Sequence, residues 1–147
     1  MKTKLKILAL IAIISLVIIY GKSSSYADSI TVTLTNIKIL KGVIKIALYN
    51  KKENFPKEGK EYKTVVVPAN SYKIRYKFLD IPDGWYAIAL YHDINNDGKC
   101  NKNLIGIPIE PFGFSNNIKV KFSAPKFNKC SFYVKKDVCL TIILYKK

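Results

Sequence analysis

The regular parts of the chain alternate apolar and polar residues with a period of two. "SITVTLTNIKI", Ser29 to Ile39, places β-branched or aliphatic residues at every second position, the signature of a half-buried strand. "LKG" then leads into "VIKIALYN", Val43 to Asn50, and the two runs read as a hairpin. A polar loop, "KKENFPKEGKEY", precedes "TVVV" before Pro68, and "SYKIRYKF", Ser71 to Phe78, follows an Ala-Asn-Ser turn. In "IPDG", Ile81 to Gly84, proline, aspartate and glycine stand in the order that suits a tight type I turn. "WYAIALYH", Trp85 to His92, is apolar on both faces, which predicts a central strand covered on both sides, with Trp85 buried alongside Tyr86, Ile88 and Leu90. "KVKF" (Lys119 to Phe122), "SFYV" (Ser131 to Val134) and "VCLTIILY" (Val138 to Tyr145) complete the series. No stretch sustains a helical period, so seven or eight short strands predict an all-β fold, a single antiparallel β-sandwich.

The N-terminus follows a different pattern. Lys2, Lys4 and Lys6 precede a fourteen-residue apolar run, Ile7 to Tyr20, which gives way to small residues ending in Ser25-Tyr26-Ala27. This is the layout of a secretory signal peptide over residues 1–27. As a helix the apolar run would measure about 21 Å, short of a hydrocarbon core of about 30 Å. Export to the periplasm or medium is therefore expected, with the membrane met only through the leader and one domain occupying residues 28–147. No cysteine lies near the cleavage site for lipid attachment.

Charge narrows the partners. The chain carries +15, and loss of Lys2, Lys4, Lys6 and Lys22 with the leader leaves +11. That excess could attract an anionic surface polymer. Arg75 is the only arginine and the lysines are scattered, which argues against specific nucleic-acid recognition, where the bidentate guanidinium is favoured. Cys100, Cys130 and Cys139 are odd in number, so a disulfide framework is not indicated. A hairpin turn at Lys135-Lys136 would make Cys130 and Cys139 diagonal neighbours about 7 Å apart, marginal for a bridge.

The candidate chemistry lies in "YHDINNDGKCNKNLIG", Tyr91 to Gly106. Asp93, Asn95 and Asp97 fall at positions 1, 3 and 5 of a calcium-loop pattern, Gly98 at the sharp turn, the Lys99 carbonyl at position 7 and Asn101 at position 9. Oxygen donors at this spacing suit a hard cation, and calcium is the cofactor the pattern indicates for residues 93–103. Position 12 is Leu104 rather than glutamate, which leaves Glu110 as the nearby acid able to complete the shell. The competing account is that Asp and Asn make Asx-turns around Gly98. An enzyme would have to use His92 with Asp93, Glu110 or Ser115, but strand alternation puts His92 on the face of Ile88 and Leu90 as a hydrogen-bonded core histidine. In "PFGFSNN", Phe112 and Phe114 either lid the sandwich or meet a ligand.

The order of these segments resembles the exported family catalogued as domain of unknown function 2141. "KGVIKIALYN", "NFPKEGKEYKTVVVP", "LDIPDGWYAIALYHDINNDGK", "NLIGIPIEPFGFSNN" and the closing "APKF", "SFYV" and "TIILY" carry the likeness from Ile30 to Tyr145. The resemblance implies an exported β-sandwich similar to transthyretin-like or carboxypeptidase-regulatory-like domains, with no established activity. The family pattern has an aspartate where this chain has Asn101, which weakens the metal-binding expectation.

These readings predict an exported, non-enzymatic binding or structural module of the cell envelope, with the stretch from Asp93 to Asn117 contacting an unidentified ligand. The alternatives are a small envelope hydrolase centred on His92 and a lysine-rich binder of anionic surface polymers.

Overall fold

In a computed structural model of the chain, which describes residues 28–104, 106, 108–120 and 123–146, eight strands form two sheets. The leader expected over 1–27 lies outside the described residues. The strands are β1 (Asp28–Thr35), β2 (Val43–Tyr49), β3 (Lys63–Pro68), β4 (Ile74–Ile81), β5 (Gly84–Asp93), β6 (Phe112–Phe114), β7 (Phe132–Val134) and β8 (Val138–Ile143). A 3₁₀ turn, Ser115–Asn117, and one turn of helix, α1 (Phe127–Cys130), are the helical elements among the described residues. One sheet runs β4-β1-β8 and the other β3-β2-β5-β6, with β7 also paired to β5. The protein is a β-sandwich, as the alternation predicts.

Alternation dictates the core directly. Ile30, Val32 and Leu34 of β1 face Ile44, Ile46 and Leu48 of β2 and Ile88 and Leu90 of β5, joined by Phe78, Ile81 and Ile142. Each such side chain contributes about 1.5–3 kcal/mol when fully removed from water. β5 is central, bonded to β2 along one edge and to β7 and β6 in succession along the other.

Two pairings and one strand differ from the sequence reading. β1 and β2 are not a hairpin: β1 lies between β4 and β8, and β2 between β3 and β5. Asn36, at φ 62°, ends β1 and donates its side-chain amide to the Leu144 carbonyl at 2.6 Å, while Ile37 is buried as a plug in the end of the core. The apolar periodicity past Thr35 thus reports a plug and not a longer strand. Lys135-Lys136 is likewise no hairpin turn. It carries the chain from β7 in one sheet to β8 in the other, where β8 runs parallel to β1 from Ile30↔Val138 to Thr35↔Ile143. Asp137 anchors this crossing, its Oδ1 accepting from the Ser29 N–H at 3.0 Å and the Ser29 hydroxyl at 2.7 Å. Cys130 and Cys139 consequently fall in different layers, and all three cysteines are free thiols, with Cys130 buried and Cys139 exposed. Finally, Lys119 and Val120 are not in a strand, and residues 121–122 of that expected strand lie outside the described residues.

Trp85 also departs from expectation. It is 57% exposed, lying on the face of β5 opposite Tyr86, where its ring meets that of its cross-strand partner Tyr133 at 5.3 Å. Tyr86, Ile88, Leu90 and His92 on the opposite face are buried as predicted.

The outer face of the five-stranded sheet carries a second apolar cluster: Ala47, Tyr49, Phe55, Ala87, Phe112, Phe114 and Cys130. Loops around Phe55, Val120 and Phe127 cover it. Beyond β8 the chain reaches across to this layer, where Phe112 and Tyr145 exchange backbone hydrogen bonds of 2.9 Å in both directions. Gly113 permits that approach, since a β-carbon there would lie 2.8 Å from the Ile142 side chain.

Candidate functional site

The loop after β5 starts from two buried residues. His92 accepts register opposite Ile44, and its Nε2 lies 2.7 Å from the Lys41 carbonyl; a carbonyl only accepts, so Nε2 carries the proton. The His92 N–H donates to the Pro111 carbonyl at 2.7 Å. Gly42 passes so close that a β-carbon would sit 2.0 Å from the Asp93 carbonyl oxygen, and its φ of +73° is itself a glycine conformation.

Asp93 is 2% exposed. Its Oδ1 accepts from the Asp97 N–H at 3.1 Å and its Oδ2 from the Gly98 N–H at 2.7 Å. Glu110, also buried, accepts from the Ile94 N–H at 3.1 Å and the Asn101 N–H at 3.2 Å. These two carboxylates therefore satisfy backbone donors that the turns would otherwise leave orphaned, and they tie both limbs of the loop to the end of β5. Asp97 is exposed and gathers side chains instead: Asn95 and Asn101 donate to its Oδ2 at 2.9 and 2.8 Å, and the Lys99 N–H to its Oδ1 at 2.9 Å. The Asn101 bond, followed by those of Asn95 and Lys99, holds the Asp97 carboxyl below the usual carboxylate range.

Of the six residues singled out in the sequence, Asn95, Asp97 and Asn101 thus meet through their side chains and Lys99 joins through its backbone N–H. Asp93 and Glu110 are turned to backbone amides. Among the described residues no group of three or more His, Cys, Asp or Glu side chains forms a metal-holding cluster. As placed, both amides turn nitrogen to the Asp97 carboxylate, so these three side chains would suit a hard cation only with both amides reversed to present oxygen.

Ser115 and His92 serve separate networks. The Ser115 hydroxyl receives the Ile88 N–H at 2.9 Å and donates to the Cys130 carbonyl. It fills the gap along β5 between Tyr86, the last partner of β7, and Ala89, the first partner of β6. Asn117 works similarly at the edge of β8, its amide bonding the Thr141 carbonyl at 3.0 Å and the Ile143 N–H at 2.9 Å.

A cleft of about 350 Å³ opens on the outer face of the five-stranded sheet. Its floor is the cross-strand pair Ala47 and Ala89, whose short side chains leave a depression, and its walls are Tyr49, Tyr91, Phe112, Phe114 and Val120. Tyr91 holds the calcium-pattern loop against this wall through its hydroxyl, 3.3 Å from the Gly98 carbonyl. Cys100 lines the cleft half-buried, its thiol pushed up to about 11 by that burial. Lys45 reaches into it and pairs with Glu58 at 2.9 Å and Glu61 at 3.5 Å. Phe112 and Phe114 were legible as ligand or lid residues; they are cleft walls. The β2 and loop contributors were missed, although the apolar residues on both faces of "VIKIALY" were a signal for a second covered surface.

No curated protein and no solved structure matches the chain. A family model does, that of an uncharacterized protein conserved in bacteria, over residues 32–140, which takes in every strand from the middle of β1 to the start of β8. The span includes the whole cleft and the loop beside it, and the chain belongs to that family, domain of unknown function 2141 (DUF2141).

Proposed function

We propose that the protein is an exported, non-catalytic binding module of the cell envelope that holds a small, largely apolar ligand against the outer face of its five-stranded sheet. The observation that carries this is the cleft itself: about 350 Å³, floored by Ala47 and Ala89 and walled by four aromatic rings. This combination of size and largely apolar lining, with charged side chains at its edges, is that of small-molecule sites. A sandwich needs its outer faces only to be wetted, whereas here three loops fold over one face without filling it. The stretch from Asp93 to Asn117 supplies one wall, Cys100, Lys102, Pro108, Phe112 and Phe114, which supports the expectation of a ligand at that edge. Titration with the neutral fluorophore N-phenyl-1-naphthylamine tests the reading. Saturable fluorescence enhancement is expected, together with slower alkylation of Cys100 when the fluorophore is bound. Ala89→Leu, which fills the floor, should abolish both; enhancement that survives Ala89→Leu with Cys100 unprotected would refute the cleft as the site.

Calcium at the loop is the second reading, supported by the closeness of three oxygen-bearing side chains, Asn95, Asp97 and Asn101; it requires both amides to turn from donating through nitrogen to Asp97 to presenting their oxygens to the ion. With Asp93 and Glu110 committed to backbone amides, the affinity belongs in the range of about 10⁻⁴–10⁻³ M seen in extracellular modules. Such binding to the native state would raise the melting temperature in millimolar calcium over that in chelator, and Asp97→Ala would remove the difference. Identical curves for both proteins in both media would refute it.

A further inference from the structure

The cleft has an asymmetric set of charges. At one end Lys45 is shared by two carboxylates, Glu58 and Glu61. The Glu61 side chain is only 9% exposed and its ion-pair partner lies at 3.5 Å, so its position is held while the lysine sits nearer to the other acid. Glu58 is more open but is tied to the same ammonium at 2.9 Å. One lysine against two acids leaves this end with an excess negative charge. Tyr49 borders it: burial pushes the phenol well above its ordinary range, and Glu61 and Glu58 push it further. Tyr91 on the opposite wall is raised by burial first and then by Glu58. Glu58 thus acts on both phenols, in a protein whose net charge is strongly positive.

The remaining cations of the cleft, Lys57 and Lys102, are exposed rim residues. Their long stems let the ammonium groups turn to water while the aliphatic part stays on the rim. Lys45, Glu58 and Glu61 have no such freedom as a group, because each restrains the next. The charge held in place at this end is thus negative, and the aromatic rings beside it are of the kind that attracts cations.

We infer that the cleft takes an organic cation, an amphipathic amine whose apolar body lies over Ala47 and Ala89 between the Tyr49, Tyr91, Phe112 and Phe114 rings and whose ammonium group meets Glu58 and Glu61. This rests on the cleft being the binding site, as proposed above. The ammonium donates to the carboxylate oxygens that Lys45 leaves available, and the apolar body fills space that the paired alanines leave open. The preference runs against the net charge of the molecule, which draws anions to the surface in general. Selection for a cation would therefore report the local pair of acids and not the bulk field.

The test is displacement of bound N-phenyl-1-naphthylamine by decylamine, decanol and decanoate, all below micelle formation at physiological ionic strength and neutral pH. They share a chain and differ in the charge of the head. Decylamine should displace the fluorophore about tenfold more tightly than decanoate, the preference that a single partly covered ion pair supports. Glu61→Gln should bring the ratio near one and leave decanol unchanged; Glu58→Gln, at an exposed position, should lower it as well and keeps the test open if Glu61→Gln fails to fold. Decanoate binding as tightly as decylamine, or a ratio unmoved in a folded Gln variant, overturns the cationic assignment while leaving the cleft in place. Absence of fluorophore binding and of Cys100 protection defeats the cleft reading and this one together.

Discussion

Replacing Ser115 with alanine probes the point where β5 changes partners. β7 pairs with Gly84 to Tyr86 and β6 with Ala89 to Tyr91, so the edge between them lacks a strand. There the Ser115 hydroxyl accepts the Ile88 N–H at 2.9 Å and donates to the Cys130 carbonyl, with Ser115 fully buried. Alanine leaves the Ile88 N–H with no partner, and an unsatisfied buried donor costs about 1–3 kcal/mol. The Cys130 carbonyl also loses the hydroxyl, while the cavity left by one oxygen atom is too small to matter, so the total should be about 2–3 kcal/mol. For a domain of this size that corresponds to a melting temperature lowered by roughly 8–15 °C. Urea unfolding followed by far-UV circular dichroism is the suitable assay, since Trp85 is too exposed to report burial of the core by fluorescence. Amide exchange at Ile88 should accelerate as well. Ser123→Ala, at an exposed position, serves as the control and should stay within about 0.5 kcal/mol of wild type. A Ser115→Ala protein as stable as that control, with an unchanged denaturant slope, would show that the hydroxyl does not bridge the two strand segments.

Gly42→Ala should prevent folding or lower stability by more than about 3 kcal/mol, because its β-carbon would lie 2.0 Å from the Asp93 carbonyl oxygen; a near-native melting temperature would show that the loop does not cross β5 there. Thiol alkylation at pH 8 should label Cys139 first, on the exposed face of β8. Cys100, raised to about 11, and Cys130, raised to about 12, should react slowly for want of thiolate, and mass spectrometry after timed quenching would reveal any other order. Acid should destabilise the fold in a defined direction. Hydrogen bonds to Asp97 and, from Ser29, to Asp137 hold both carboxyls below their ordinary values. Their contribution is complete above the unfolded pKa of about 4 and is lost as pH falls through the lower folded values. The melting temperature should therefore decline below about pH 4, and less steeply in Asp137→Asn; a variant with the same decline as wild type would contradict the assignment of Asp137.

Sequence and tertiary structure contributed different things. Side-chain period follows from the geometry of a single strand, so "SITVTLT" was enough to place Ile30, Val32 and Leu34 in the core, and the apolar residues on both faces of "WYAIALYH" were enough to make β5 central. Period does not name a neighbour. That β1 pairs with β4 and β8 instead of β2 depends on where the chain crosses between sheets, which is decided by Asn36, Ile37 and Asp137 making contacts more than a hundred residues away or deep in the core. The loop shows the same division. Asp93 and Asp97 look alike as spaced acids in the sequence, but the end of β5 buries Asp93 against backbone amides while Asp97 remains in water. The cleft was the least legible feature, because Ala47 and Ala89 are unremarkable residues until the β2–β5 register sets them side by side and leaves loops from distant segments spanning the space above them.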